Sequence, residues 1–229
     1  MKNRIIIVFF LLTIVSCISI KGKKELMSLN DIGDSNTLRK DGYYYTESYI
    51  KTNPYYRNEY GGYVRDSTKT FYQVRISTLA LKENGSAMKL GSYSGMQDNL
   101  AYNFGIKCDL PDNNTLESAF EHFQCYLTEL KNKNLFFLNS KAEIWDQGIY
   151  KIENNAITIQ IFYNTIGDYN LYEETGIIKN DSTFVLTNAT DFQTGKKHKI
   201  NKVYKFKKMK NFPDIDNYVL KNKKKFSKN

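Results

Sequence analysis

Apolar and polar residues alternate with a period of two along most of the chain. From Phe71 to Leu81, Tyr72, Val74 and Ile76 fall on one face and Gln73, Arg75 and Ser77 on the other, the pattern of a half-buried β-strand. Asn84-Gly85 follows and suits both positive-φ positions of a type I′ turn, so the chain is expected to fold back through Ala87, Lys89 and Tyr93. Earlier, Asp41-Gly42 opens a β-type run from Tyr43 to Ile50. Asn53-Pro54 ends it, because proline cannot donate to a ladder. A short run at Tyr63-Val64-Arg65 follows Gly61-Gly62.

The alternation returns in the second half, beginning with Leu135-Phe136-Phe137-Leu138 and then Trp145. Gly148 to Ile152 turns at Asn154-Asn155 into Ala156 to Tyr163, where Ile157, Ile159 and Ile161 share a face. Leu171 to Lys179 turns at Asn180-Asp181 into Thr183 to Leu186, and a last strand runs from Ile200 to Phe206. One segment departs from this period. Between about 114 and 133, Leu116, Ala119, Phe120, Phe123, Leu127 and Leu130 recur every three or four residues, which predicts an amphipathic helix. Asn114 with Glu117 resembles a capping box, and Lys131 and Lys133 suit the negative end of the helix dipole. The expected fold is therefore mainly β: an antiparallel meander forming a barrel or a sandwich, with one helix covering a sheet or plugging a barrel mouth.

The amino terminus follows another logic. Lys2 and Arg4 precede an apolar run from Ile5 to Val15, shorter than the roughly 20 residues that cross a bilayer as a helix, and the run meets Ser16 and Cys17. This is the layout of an export signal. Ile14-Val15-Ser16-Cys17 resembles the lipobox of bacterial lipoproteins, in which diacylglycerol is attached to the cysteine thiol and the peptide is cut before it. That resemblance implies that Cys17 is the lipidated first residue of the mature chain and that the protein meets a membrane through its lipid. It also implies a bacterial cell envelope. Ile18 carries none of the acidic character that retains some lipoproteins at the inner membrane, so the expected place is the outer membrane, facing the periplasm. The domain reading is a signal peptide over 1–16, a tether over 17–37, a β domain over 38–209 and a basic tail over 210–229.

Composition narrows the function classes. The chain has 229 residues, 41% hydrophobic and 14% aromatic, with 18 Tyr and 14 Phe, which fits pleated half-buried surfaces. Its formal charge is +9, falling to +7 once Lys2 and Arg4 are removed. From Lys196 onward thirteen lysines stand against Asp214 and Asp216 alone, a surplus of +11, so the rest of the mature chain is slightly acidic. Basicity confined to one end does not make the extended, aromatic-interleaved face of a nucleic-acid protein, and no nucleic acid is expected as a partner. The tail is expected to be solvated, or to sit on anionic lipid.

Leu38 to Tyr44, Leu81 to Ser86, Trp145 with Gly148 to Ile157, and Gly176 to Ser182 together resemble the strand order of lipocalin-like bacterial lipoproteins of unknown function. The resemblance covers most of residues 38–207. It implies a barrel that holds a ligand and no catalytic residues.

Candidate chemistry is sparse. His122, on the helix, and His198, in Lys196-Lys197-His198-Lys199, have no second ligand at metal-binding spacing, and both are expected at the surface. There is no nucleophile elbow, phosphate loop or zinc-protease motif, so the expectation is a non-enzyme with no cofactor and no metal. Glu173 and Glu174 point opposite ways on a strand, and Asp214 and Asp216 fall in the tail. With Cys17 lipidated, Cys108 and Cys125 are left as an even pair in an oxidising compartment; their spacing permits a disulfide, two free thiols being the alternative. The tyrosines at 43–45, 55, 56, 60 and 63 are half-buried strand residues or a stacking surface for sugars. The functional expectation is a lipid-anchored binding protein for a small apolar or glycan ligand; the alternative is a protein-interaction or structural lipoprotein that recognises an envelope protein.

Overall fold

The computed structural model describes residues 19–28, 37–57, 59–60, 63–96, 108–132, 144–165, 168–210, 212 and 216–226. Strands, in chain order, are β1 (Ser19–Lys21), β2 (Gly42–Thr52), β3 (Tyr55–Arg57), β4 (Tyr63–Arg65), β5 (Phe71–Leu81), β6 (Ser86–Ser94), β7 (Gln147–Glu153), β8 (Ala156–Thr165), β9 (Asp168–Asn180), β10 (Thr183–Asp191) and β11 (Lys196–Lys208). The helices are α1 (Leu116–Asn132), α2 (Tyr218–Lys221) and α3 (Lys223–Phe226), with a 3₁₀ turn at Lys23–Glu25. Strands β2, β5, β6, β7, β8, β9, β10 and β11 pair in that order, and β11 returns to β2, closing an eight-stranded antiparallel barrel. Of barrel and sandwich, the barrel is the one formed. Closure pairs the two outer strands of the sheet over part of their length, which shortens its exposed edges.

The turns follow from their residues. Asn154 and Asn155 both take positive φ, 48° and 65°, in the two-residue loop between β7 and β8. The β5–β6 hairpin differs from the type I′ expectation. Gly85 alone takes positive φ, the Gly85 amide donates to the Lys82 carbonyl at 3.0 Å, and the Asn84 side chain instead accepts from the Ser86 amide.

Three apolar clusters hold the barrel. The interior cluster draws Tyr44, Leu79, Leu81, Ala87, Tyr150, Ile157, Ile159, Ile161, Ile178, Phe184, Leu186 and Tyr204 from all eight strands. It fills the end bearing the 82–85, 154–155 and 181–182 turns. There the Tyr150 hydroxyl donates to the Lys82 carbonyl at 2.8 Å, the Tyr44 hydroxyl lies 3.0 Å from the carbonyls of both Arg39 and Asp181, and the Arg39 guanidinium stacks 4.4 Å from the Phe206 ring. The second cluster lies outside, where Ala119, Phe120, Phe123 and Leu127 of α1 cover Tyr43, Ile76, Ala80, Met88 and Leu90. The helix thus covers a sheet and does not plug a mouth. Its cap is Thr115, whose Oγ1 accepts from the Ser118 amide at 3.2 Å. Asn114, expected as the cap, is used to pin the helix start to β5, accepting from the Val74 amide and donating to the Tyr72 carbonyl.

The third cluster takes in described residues near both ends of the chain. Residues 17–37 were expected to be a tether, yet β1 pairs in parallel with Asp168–Asn170 of β9, and Leu26 is buried with Ile144, Ile149, Phe162, Tyr169 and Leu171. Residues 210–229 were expected to be a solvated tail, yet Asn217 caps α2 and Val219 and Phe226 complete the same cluster. Both segments add single apolar residues to a preformed outer face, so neither carries a periodicity of its own. Cys17 lies outside the described residues.

Candidate binding site

The barrel is closed at one end and splayed at the other. β11 pairs with β2 only through Lys205–Lys208, and β6 pairs with β7 only through Ser86–Met88; beyond these, towards the β10–β11 turn, the two halves part. Register fixes what faces the gap. Tyr44 pairs with Leu79, both in the interior cluster, so Ser77, Arg75 and Gln73 face inward further along β5. On β6 a bulge at Gly91, φ 99°, resets the phase so that Ser92 and Ser94 also face inward, opposite Ser77 and Arg75. On the other half, Ile159 pairs with Glu174 and Ile161 with Tyr172, bringing those two side chains inside, while Leu186 pairs with Lys202 and Ala189 with His198.

The polar face of β5 is therefore the inward one. Its Gln73, Arg75 and Ser77 face lines the interior, whereas Tyr72 is 62% exposed outside and Ile76 lies under α1. Alternation shows that two faces differ; which one is inside depends on what packs over the other, here the helix.

The inward polar groups are bonded in order. Gln73 Nε2 donates to Ser94 Oγ at 3.0 Å, Arg75 Nε donates to Gln73 Oε1 at 3.0 Å, and the hydroxyls of Ser77 and Ser92 are 2.7 Å apart. Across the gap, Lys202 forms an ion pair with Glu174, whose side chain is 5% exposed, and the Tyr172 hydroxyl lies 3.0 Å from His198 Nε2. Lys89 reaches from β6 to within 5.7 Å of the Tyr172 ring centre. Burial, with Glu174 and Asp191 nearby, raises the Tyr172 hydroxyl above its ordinary pKa. Asp146 stands at the β6–β7 seam in a positive-φ turn; burial pushes its carboxyl up to about 6 against the pull of Lys89. Among the described residues, the floor of the barrel is thus aromatic and filled, and the lining of its upper half is polar and charged. This arrangement can take up hydrogen-bonding groups and planar rings against Tyr172 and Tyr163, which pack edge to face at 5.8 Å.

The other candidates are scattered. Cys108 and Cys125 are joined in a disulfide, Cα atoms 6.0 Å apart, on the outer side with α1. His198 reaches the site, but His122, expected at the surface, has a buried Nε2 with no hydrogen-bond partner among the described residues. Glu173 and Glu174 do point opposite ways: Glu173 accepts from Gln160 Nε2 outside while Glu174 is inside. Asp216 pairs with Lys221, and Asp214 lies outside the described residues. Of the tyrosines, Tyr43 is under the helix, Tyr44 is in the floor and Tyr60 is 88% exposed; the side chains of Tyr55, Tyr56 and Tyr63 lie outside the description. Among the described residues no group of three or more His, Cys, Asp or Glu could hold a metal, and no helix is long and apolar enough to cross a membrane.

Sequence reasoning missed Arg75, Lys89, Glu174 and Lys202 as a group. The available signal was a charged residue in the middle of each of four strands. The chain matches no protein-family model, no curated protein and no solved structure, so the site is read from its own chemistry.

Proposed function

We propose that the chain is a lipid-anchored, non-enzymatic binding protein of the bacterial envelope, placed at the outer membrane facing the periplasm, whose barrel holds a small ligand in its open half. The observation that carries this reading is the division of the interior, among the described residues, into a filled aromatic floor and a polar upper half where β2 parts from β11. Of the two ligand classes the sequence allows, the polar lining favours a glycan-like molecule over a purely apolar one. Gln73, Arg75, Ser77, Ser92 and Lys202 supply donors, and Tyr172 supplies a ring face. The test is native mass spectrometry of the protein exported to a bacterial periplasm and purified. A reproducible added mass identifying a polar small molecule is the expected result; a clean apo mass together with no binding from envelope extracts would overturn it.

The alternative, an envelope lipoprotein that binds another protein, has one observation in its favour. Ile177, Val185 and Val203 stand in register on the outer face of β9, β10 and β11, and Ile177 and Val203 are exposed.

A further inference from the structure

The two ends of the described chain meet at one corner of the barrel, and both are basic there. β1 pairs with the first residues of β9, and the 3₁₀ turn that follows carries exposed Lys23 and Lys24. From the other end of the sequence, α3 packs Phe226 against Phe162, 5.8 Å between ring centres, and brings exposed Lys223, Lys224 and Lys225 alongside. Lys23 Nζ lies 5.7 Å from the Phe226 ring, so the two lysine groups form one patch. The neighbouring β10–β11 hairpin adds exposed Lys196, Lys197 and Lys199; its Phe192 amide donates to Leu171 of β9 next to β1. The acids around the patch are few. Among the described residues, Asp168 is paired with Lys21 and Asp216 with Lys221, and Glu25, Asp191 and Glu173, which accepts from Gln160 Nε2, are the other carboxylates near it.

Direction matters as much as charge. β1 runs parallel to β9 and starts at the splayed end of the barrel, with Ser19 opposite Asp168. Cys17 is two residues earlier, so it can stand no more than about 7 Å from Ser19 at full extension. A lipid on that thiol would tie the splayed end close to the bilayer with no slack. Trp145 is 53% exposed at the same end. It sits in the 144–146 turn that leads into β7, where the Asp146 amide donates to the Phe162 carbonyl, and its neighbour Ile144 belongs to the cluster that buries both chain ends.

We propose that this corner is a docking surface for anionic phospholipid headgroups, which holds the open end of the barrel at the membrane. The inference rests on the reading of Cys17 as the lipid anchor. Lysines near an anionic surface are attracted to it within a Debye length, and an amphipathic indole suits the headgroup level. The short anchor keeps the splayed end near the bilayer; the patch sets which side of that end faces the headgroups.

The test uses the full chain, processed in a bacterial host, extracted from membranes and reconstituted. Its single tryptophan, Trp145, is the probe. Fluorescence is recorded in vesicles of phosphatidylcholine brominated in the upper acyl chain, with and without phosphatidylglycerol, at low and high salt. Expected is strong quenching with phosphatidylglycerol at low salt and weak quenching in neutral vesicles or at high salt. Replacing Lys223, Lys224 and Lys225 with Gln lowers the docked-to-undocked ratio on the order of a hundredfold, at about 1 kcal/mol per lysine, and brings quenching to the neutral-vesicle level. These side chains are exposed, Lys225 reaching the Tyr218 hydroxyl at 3.3 Å, and the unfolding midpoint of the variant is recorded beside its quenching; Lys23→Gln with Lys24→Gln is the second variant should the midpoint fall. Quenching independent of lipid charge, or its absence in a chain whose intact mass carries acyl groups on Cys17, overturns the docking alone. An intact mass without acyl groups overturns the anchor reading and the docking with it.

Discussion

Asp146 gives the sharpest prediction, because its carboxyl is buried at the seam next to the polar half of the barrel. In the unfolded chain it titrates near its ordinary value of 3.8; in the fold, burial raises this to about 6, with Lys89 opposing. The folded state therefore binds the proton more tightly than the unfolded state. Between roughly pH 4 and pH 6 folding takes up a proton, and stability falls as pH rises through that window. The shift is about two units, and at 1.36 kcal/mol per unit the ionised carboxylate costs the fold on the order of 3 kcal/mol above pH 6, with none of that cost below pH 4. Asp146→Asn removes the charge and keeps a side chain that tolerates the positive φ of 59°. It should stabilise the protein by about 2 to 3 kcal/mol at pH 7.5 and by almost nothing at pH 4. Urea denaturation followed by the fluorescence of Trp145, the adjacent residue, at a series of pH values measures this directly. A gain equal at both pH values, or a loss at pH 7.5, would refute the assignment of the cost to an ionised, buried Asp146.

Other expected outcomes follow from single contacts. Tyr150→Phe removes the buried hydroxyl that donates to the Lys82 carbonyl and should cost about 1 to 2 kcal/mol by urea unfolding. Phe226→Ala should cost about 3 kcal/mol and speed hydrogen exchange in β1 and β8, whereas a solvated tail would give no effect. Reduction of Cys108–Cys125, 17 residues apart, should lower stability by about 3 kcal/mol in a thermal melt with and without reductant. Arg75→Ala should abolish retention of the co-purified ligand while leaving the Tyr44 and Tyr150 end of the barrel intact by hydrogen exchange.

How far the sequence could be read depended on whether a feature was local. The hairpin at Asn154-Asn155 was legible because two positive-φ residues between alternating runs leave the backbone one tight solution. The helix was legible from its Phe120, Phe123 and Leu127 stripe, with ends at Leu116 and Asn132 inside the expected span. Its cap was misread by one residue because Asn114 is engaged by β5, 40 positions away, a contact no local pattern reports. The face of β5 that lines the barrel was illegible for the same reason. Gln73, Arg75 and Ser77 look solvent-facing until α1 covers Ile76 from outside and Leu79 and Leu81 fix the inward phase. Both termini were misread because Ile20, Leu26, Val219 and Phe226 fill gaps in a surface assembled by β7, β8 and β9, and lysines dominate the segments between them. The amino-terminal residues that carry the anchor reading lie outside the described residues, so Cys17 is argued from the sequence alone.

The account turns on where the ligand sits. Ser77→Trp places an indole in the upper half of the barrel, opposite Ser92, without touching the aromatic floor or the basic corner. Native mass spectrometry of this variant beside the unaltered protein, both exported and purified in the same way, is the most direct measurement. The added mass of the unaltered protein should vanish from Ser77→Trp while its unfolding midpoint holds. An adduct retained in full by a folded Ser77→Trp variant would place the ligand elsewhere and contradict the account.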